Sequence, residues 1–289
     1  MYMRVLVTGG SGNVGGYILD ELIGEHEVTI LDMKASLKHP ELPCINADLM
    51  DAAAALDAVK GFDAVVHLAA IPNPSKDPGD RVLSVNTVST YNLMEAVRLN
   101  GIQKVVYASS ESASGFGIHN VFHKPMYLPI DEEHPSWPHE TYSLSKYFGE
   151  VICREYAHAY GIKVIALRYT WVWFREDGDA IRGLVKHVQT NGGDGFGAYV
   201  FAEDVAQAFR LSLNYAFTGD EYFKSFYITA DDALLTIDDL DQLIRMYPTD
   251  GPPVDGEYFG LHPRGSFFSI EKAKKLLGYH PMHSWKELL

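Results

Sequence analysis

Short apolar runs alternate with helix-length stretches through the first two thirds of the chain. Arg4-Val5-Leu6-Val7 predicts a buried strand, followed by a Gly-rich turn and a helix from about Val14 to Ile23. Val28-Thr29-Ile30-Leu31, Ala64-Val65-Val66-His67-Leu68, Lys104-Val105-Val106-Tyr107 and Lys163-Val164-Ile165-Ala166-Leu167 continue the strand series. Helices are expected between them at about 51–60, 80–99 and 141–159. Strands that are apolar throughout, rather than at alternate positions, are buried on both faces, so the alternation predicts a parallel sheet covered by helices on both sides. Right-handed crossovers make that a doubly wound, Rossmann-type α/β fold.

Beyond about residue 170 the pattern loosens. Helices are expected from Glu203 to Leu213, from Thr236 to Met246, and from Ser269 to Leu277 with Ser269 as N-cap. The stretch 248–268 is rich in Pro and Gly and shows no periodicity. The expected division is a Rossmann-type domain over 1–169, with later segments such as 199–215 packing back on it, and a smaller lobe over 170–289.

The 289 residues are 47% apolar, enough for a substantial core. Set against 38 acidic residues, 24 basic ones leave a net charge of −14, which repels phosphate backbones and anionic membrane surfaces. Cys44 and Cys153 are too few for a disulfide framework. Met1-Tyr2-Met3-Arg4 has no signal-peptide layout, and no run approaches the roughly 18–20 apolar residues of a membrane span. A cytoplasmic globular protein is expected, with a small molecule as its partner and neither nucleic acid nor membrane.

Thr8-Gly9-Gly10-Ser11-Gly12-Asn13-Val14-Gly15 spaces three glycines as G-x-x-G-x-x-G between a strand and a helix. Glycines there permit a tight turn, let backbone N–H groups approach a pyrophosphate, and let helix and strand pack closely. Asp32 ends the second strand about 20 residues on, where a carboxylate accepts both ribose hydroxyls of an adenosine and repels a 2′-phosphate. Lys34 is near, but no Arg follows at once, so NAD is favoured over NADP.

Tyr142-Ser143-Leu144-Ser145-Lys146 places a phenol and an ammonium one helical turn apart. A neighbouring ammonium and a positive nicotinamide ring both favour phenolate, which brings a tyrosine toward general-base strength. Val105 to Ser112 ends a strand at the sheet edge where ligands bind, with Ser109 and Ser110 both able to share charge on a reacting oxygen.

Taken together the chain resembles the extended short-chain dehydrogenase/reductase family, of the NAD-dependent epimerase/dehydratase type, over nearly its whole length. The likeness is carried by Thr8–Gly15, Asp32, Asp48-Leu49, His67-Leu68-Ala69-Ala70, Asn86, Ser109-Ser110, Tyr142 with Lys146, Arg168, Tyr199–Asp204 and the ending Lys272–Pro281. The resemblance implies Ser110 as the catalytic hydroxyl, Tyr142 as acid/base and Lys146 as its pKa-lowering partner. It also implies a cofactor site of Gly9, Gly12, Asn13, Val14, Gly15, Asp32, Asp48, Leu49, Leu68, Ala69, Ala70, Asn86, Tyr142, Lys146 and Tyr169, and a homodimer through the helices near 83–99 and 141–159.

The reaction this implies is hydride transfer between NAD and a secondary alcohol of a carbohydrate. Departures from the family pattern bear on the substrate. Trp171 stands where nucleotide-sugar enzymes carry Asn, and Gly195-Phe196-Gly197-Ala198 lacks the diphosphate-clamping Arg, leaving Arg175 and Arg264 as candidates. A dehydrogenase of a non-nucleotide sugar is therefore the first expectation. A nucleotide-sugar epimerase (UDP-glucose 4-epimerase-like) or dehydratase with tightly held NAD is the second, and a non-catalytic dinucleotide sensor a remote third. Ser110, Glu111, Ser112, Arg168 and Trp171 are the substrate-side candidates. Glu111 would disfavour a carboxylate substrate if it faces the pocket, the alternative being that it points to solvent. Trp171, Trp173 and Phe174 are expected in the core more often than against a sugar. In the long connection 112–140, His119 and His123 have ligand-like spacing, and His134 and His139 follow, but no accompanying carboxylate–His motif or cysteine pair points to zinc, and no metal is expected.

Overall fold

The computed structural model describes residues 2–72, 77–117, 124–191, 194–236 and 253–288. A seven-stranded, wholly parallel sheet runs through it. Its strands are β1 (Arg4–Thr8), β2 (Glu27–Asp32), β3 (Cys44–Asn46), β4 (Ala64–His67), β5 (Lys104–Ala108), β6 (Lys163–Tyr169) and β9 (Phe223–Ile228), in spatial order β3-β2-β1-β4-β5-β6-β9. The chain starts in the middle, builds outward to β3, and returns to lay β4 beside β1. The order reverses between β1 and β4, which opens a crevice at their C-terminal ends.

Two layers of helices explain why the strands are apolar throughout. Val5 and Val7 face α1 (Asn13–Leu22) and α6 (Ala202–Asn214), in a core with Ile18, Val106, Ile165 and Phe209. Leu6, Val65 and Val105 point the other way, into α2 (Ala52–Ala58), α3 (Gly79–Leu99) and α4 (Thr141–Tyr160), among Leu93, Val97 and Cys153. With period two and both faces dry, no strand can slip by one residue without burying the wrong set. The strands consequently end in register: Thr8 lies beside His67, His67 beside Tyr107, and Ala108 beside Leu167.

Beyond β6 the sequence pattern was less informative. β9, from a segment the alternation did not register, pairs along β6 as the outermost strand, and Glu132 covers its edge by accepting from the Tyr227 N–H at 2.7 Å. A two-stranded sheet of β7 (Trp171–Trp173) and β8 (Tyr199–Phe201) stacks Trp173 on Tyr199 at 4.4 Å, with α5 (Gly178–Asn191) between the two strands in the chain. Asp204 ties the C-terminal segment to α6 by accepting from the N–H groups of Met282 and His283. Within the unpatterned stretch 248–268 a short helix forms at Gly256–Leu261, because Asp255 caps it through the N–H groups of Glu257 and Tyr258. The late helix starts at Glu271, two residues after the expected N-cap Ser269; Ile270 holds the cap position, and Ser269 reaches Glu271 N only at 3.4 Å. The helix expected at 236–246 falls outside the described residues from 237 on.

Candidate active site

At the crevice mouth the turn after β1 is shaped by missing side chains. Gly9 has φ +71°, and a Cβ there would lie 2.6 Å from the Ala69 nitrogen; one on Gly15 would lie 2.6 Å from the Gly10 carbonyl oxygen. α1 opens directly on the crevice, with Gly12 as an N-cap that has no side chain to bond the first N–H groups. A helix start of this kind is a ready anion site. Asp32, half-buried at the end of β2, uses one oxygen to accept from Ser11 N at 3.1 Å, while the Ser11 hydroxyl donates to the Lys34 carbonyl. Asn13 is exposed and Val14 half-buried on the first turn of the helix.

Asp48 is exposed and turns its loop by accepting from Met50 N at 2.9 Å; Leu49 beneath it is buried, and Asn92 of α3 donates to the Leu49 carbonyl. Leu68, Ala69 and Ala70 lie half-buried just past β4, with Ala69 N donating to Thr8 Oγ1. Asn86 does not present a free amide. Its carbonyl oxygen accepts from Ile71 N, and its NH2 donates to the Ile71 carbonyl and Ser145 Oγ, so it pins the segment past β4 to α4.

Across the crevice, Ser110 to Ser114 leave β5 in a tight 3-10 turn, and α4 begins at Thr141 with Glu140 as N-cap, bonded to the N–H groups of Tyr142 and Ser143. Tyr142, Lys146 and Glu150 follow one another down one face of α4. Ser109 and Ser110 diverge as period two requires. Ser109 donates to Glu150, whereas Ser110 Oγ donates to Glu111 Oε2 at 2.9 Å, lies 3.0 Å from Ser112 Oγ and accepts from Ser112 N.

Glu111 turns inward rather than toward solvent. Its carboxyl sits so close over Gly117 that a Cβ there would overlap Oε1. Burial pushes it up to about 7, against the opposing pull of the Ser110 hydroxyl and the N–H groups of Glu111 and Ser112; among the described residues no cation acts on it.

The electrostatics depart from the sequence expectation at one point. Lys146 Nζ donates to the Ala108 carbonyl at 2.8 Å and stands 5.8 Å from the Tyr142 ring centre. Burial pushes Lys146 down to about 8. Tyr142 is held well above the ordinary tyrosine value, first by burial and then by the neighbouring Tyr169 and Glu111. Desolvation outweighs the ammonium, so the protein alone keeps Tyr142 a neutral phenol.

Other candidates lie elsewhere than expected. Arg168 is not free to reach a ligand through its fork: Nε and Nη2 bind both oxygens of Glu150 at 2.9 and 2.7 Å, with both side chains buried. Arg175 pairs with Glu203 and Glu287. Arg264 lines a surface cavity of about 480 Å³ with Asp231, Asp232, His262 and Lys286, away from Ser110 and Tyr142. Trp171 is 48% exposed, contrary to a core role; Trp173 is buried, and Phe174 packs half-buried against Tyr17. His119 and His123 fall outside the described residues. His134 is buried in an aromatic cluster with Phe116, Tyr127 and Trp137, and accepts from Met126 N. Among the described residues no cluster of His, Cys, Asp or Glu could hold a metal ion.

Sequence reading overlooked two groups and the setting of a third. Glu150 continues the Tyr142–Lys146 spacing by one more turn, and extending that period would have found it. Glu140 stands directly before the helix, where an acid caps. His67 bridges Thr8 Oγ1 at 2.7 Å and Thr90 Oγ1 at 3.1 Å, pushed down to about 3 by burial and by Lys146, and nothing in the linear chain signals that.

Residues 5–223 match the model of the NAD dependent epimerase/dehydratase family. The chain belongs to that family. Its relatives include a Methanocaldococcus jannaschii protein named "Putative UDP-glucose 4-epimerase", 35% identical over 238 residues that cover 73% of each chain. The L-arabinose 1-dehydrogenase (NAD(P)(+)) of Haloferax volcanii is 28% identical over 86% of this chain and 96% of its own. A solved Thermus thermophilus UDP-glucose 4-epimerase in complex with NAD superposes with a TM-score of 0.69 at 25% identity, over 99% of this chain and 96% of that one. As a member of this epimerase/dehydratase family the chain is an NAD-dependent oxidoreductase of the Rossmann type. The bare backbone at Gly9 and Gly15, the uncapped start of α1 and the carboxylate of Asp32 fit that cofactor.

Proposed function

We propose that the chain oxidises a secondary alcohol of a neutral, non-nucleotide sugar. The observation that carries this reading is the charge of the substrate side: a buried carboxyl, Glu111, lies beside Ser110 with no cation of the described residues acting on it, while Arg168 and Arg175 are committed to carboxylates. A uronate or a diphosphate would enter that field unfavourably, whereas hydroxyls can donate to it.

In this reading Gly9, Gly12, Asn13, Val14 and Gly15 cradle the pyrophosphate, Asp32 takes the adenosine ribose, and Asp48 and Leu49 flank the adenine. Leu68, Ala69 and Ala70 line the dinucleotide, with Asn86 holding their segment in place, and Tyr169 closes the nicotinamide end. When bound, the nicotinamide supplies the hydride acceptor and, oxidised, a positive charge. Ser110 orients the reacting oxygen, Tyr142 Oη exchanges its proton, and Lys146 holds the ribose. Half-exposed apolar residues on α3 and α4, Val88, Tyr91, Leu99, Phe148 and Tyr160, support a homodimer through those helices. Sedimentation at micromolar concentration tests it, and a monomer overturns it. The cytoplasm is the proposed compartment, on the composition alone. No helix among the described residues is long and apolar enough to cross a membrane.

The test is NADH formation with NAD and L-arabinose, other neutral aldoses, a hexuronate or UDP-glucose. Turnover of a neutral free sugar is expected. Silence on every free sugar, with conversion of UDP-glucose and no net NADH, selects the second reading, a nucleotide-sugar 4-epimerase, which the 35% identity to the Methanocaldococcus protein favours.

A further inference from the structure

We infer that Glu111 reads the hydroxyl on the carbon next to the reacting one, and that this hydroxyl releases the Ser110 proton to the reacting oxygen. The starting point is the allocation of a single proton. Ser110 Oγ donates to Glu111 Oε2 at 2.9 Å, and the Ser112 N–H donates to Ser110 Oγ at 3.2 Å. Ser112 Oγ also lies 3.0 Å away, but a carboxylate is a stronger acceptor than a hydroxyl. A serine hydroxyl has one proton and two lone pairs. In the free protein that proton is therefore held by Glu111 and is not offered to the crevice.

The reaction proposed above needs it elsewhere. As the alcohol gives up its hydride, negative charge gathers on its oxygen, and Ser110 stabilises that charge only by donating to it. Turning the hydroxyl to the substrate takes from Glu111 the one side chain that donates to it among the described residues. Glu111 is only 9% exposed, so little water reaches it, and a buried acceptor left unpaired is costly. A second hydroxyl of the substrate removes that cost. Neighbouring hydroxyls on a sugar ring stand about one hydrogen-bond length apart, which is also the separation of Ser110 Oγ and Glu111 Oε2. With the reacting oxygen on Ser110, the adjacent hydroxyl donates to the carboxylate in place of the serine.

The placement of the groups agrees with this. Ser109 turns away to Glu150, whereas Glu111 lies close enough to Tyr142 and Tyr169 for its charge to act on both. Gly117, without a side chain, leaves the carboxyl the space it occupies, and the 3-10 turn Glu111–Ser114 fixes Ser110 Oγ through the Ser112 N–H. The substrate class is accordingly a vicinal diol rather than an isolated secondary alcohol. This inference rests on the hydride-transfer reading and narrows its substrate.

The test compares the sugar turned over in the assay above with its analogue lacking the hydroxyl next to the reacting carbon. The pH is kept above about 7, where Glu111 is charged. With the parent chain the analogue should lose about 10- to 100-fold in kcat, the weight of a hydrogen bond to a charged group. An analogue lacking a more remote hydroxyl should lose far less. Glu111→Ala should bring sugar and analogue within about 2-fold of each other, and Glu111→Gln, which keeps an acceptor oxygen, should retain part of the difference. In Ser110→Ala there is no proton to release, so the missing hydroxyl should change KM and leave kcat the same for both. Equal kcat for sugar and analogue with the parent chain overturns the inference, and that result needs no variant to fold. An undiminished difference in Glu111→Ala also overturns it, as does a kcat difference that survives Ser110→Ala. The two failures are separable. A sugar turned over without any such difference removes this inference alone, whereas silence on every free sugar removes the free-sugar reading. The comparison then passes to UDP-glucose and its 3-deoxy analogue, with 4-epimerisation as the readout.

Discussion

Two serine–glutamate pairs lie within a few residues of each other in this molecule and have opposite characters. Ser109 with Glu150 is closed by Arg168, whose guanidinium takes both carboxylate oxygens, so a buried negative charge is matched at once by a buried positive one. Ser110 with Glu111 has the same residue types and similar burial but no cation among the described residues, and its carboxyl is pushed up to about 7. The first arrangement ties β6 to α4 beneath the site. The second remains chemically soft, beside Tyr142. Burial alone does not decide whether an acid is structural or reactive; the partner does.

The largest effect is expected where the two pairs meet. Tyr142→Phe should lower turnover by about 10²- to 10⁴-fold, the usual weight of a general acid/base, while NAD titration and thermal melting stay near those of the parent chain. Arg168→Met tests the closed pair. It strands Glu150 in the core and should cost about 3–5 kcal/mol in denaturant unfolding, with Glu150→Met added on top restoring much of it. A loss below 1 kcal/mol would show that the closed pair is no more demanding than the open one.

The open pair has a stability signature of its own sign. A carboxyl raised on folding contributes stability that is full below its ordinary value of 4.5 and fades as pH rises through about 7. Glu111→Gln should therefore match the parent chain at about pH 4 and exceed its stability by about 3 kcal/mol at about pH 8. Parallel stability curves for the two proteins would erase the contrast between the pairs. The smallest effect is at the cofactor end. Gly9→Ala forces a side chain into φ +71° and against Ala69, and should cost about 1–2 kcal/mol of stability together with weaker NAD binding by calorimetry.

Much of this was legible in the linear chain. Continuous apolar runs such as Val5-Leu6-Val7 fit only a strand with both faces covered, and the spacing of Gly9, Gly12 and Gly15 fits only a turn whose backbone must come close to something. Local rules suffice for these, because period and glycine geometry act within a few residues. β9 was not legible. Phe223-Lys224-Ser225-Phe226-Tyr227-Ile228 mixes polar and apolar positions because it is the outermost strand, with Glu132 from a distant loop covering its edge.

By itself the sequence determined the doubly wound sheet, the glycine turn with Asp32, and the placing of Tyr142, Lys146 and Ser110 along the elements that bear them. Only the tertiary structure decided which charges meet: that Arg168 closes on Glu150, that Glu111 turns inward with no cation among the described residues, and that burial holds Tyr142 above the ordinary tyrosine value despite Lys146. The physical reason is range. Backbone periodicity is set by neighbours in sequence, whereas desolvation and ion pairing depend on groups tens of residues away that folding alone brings into contact.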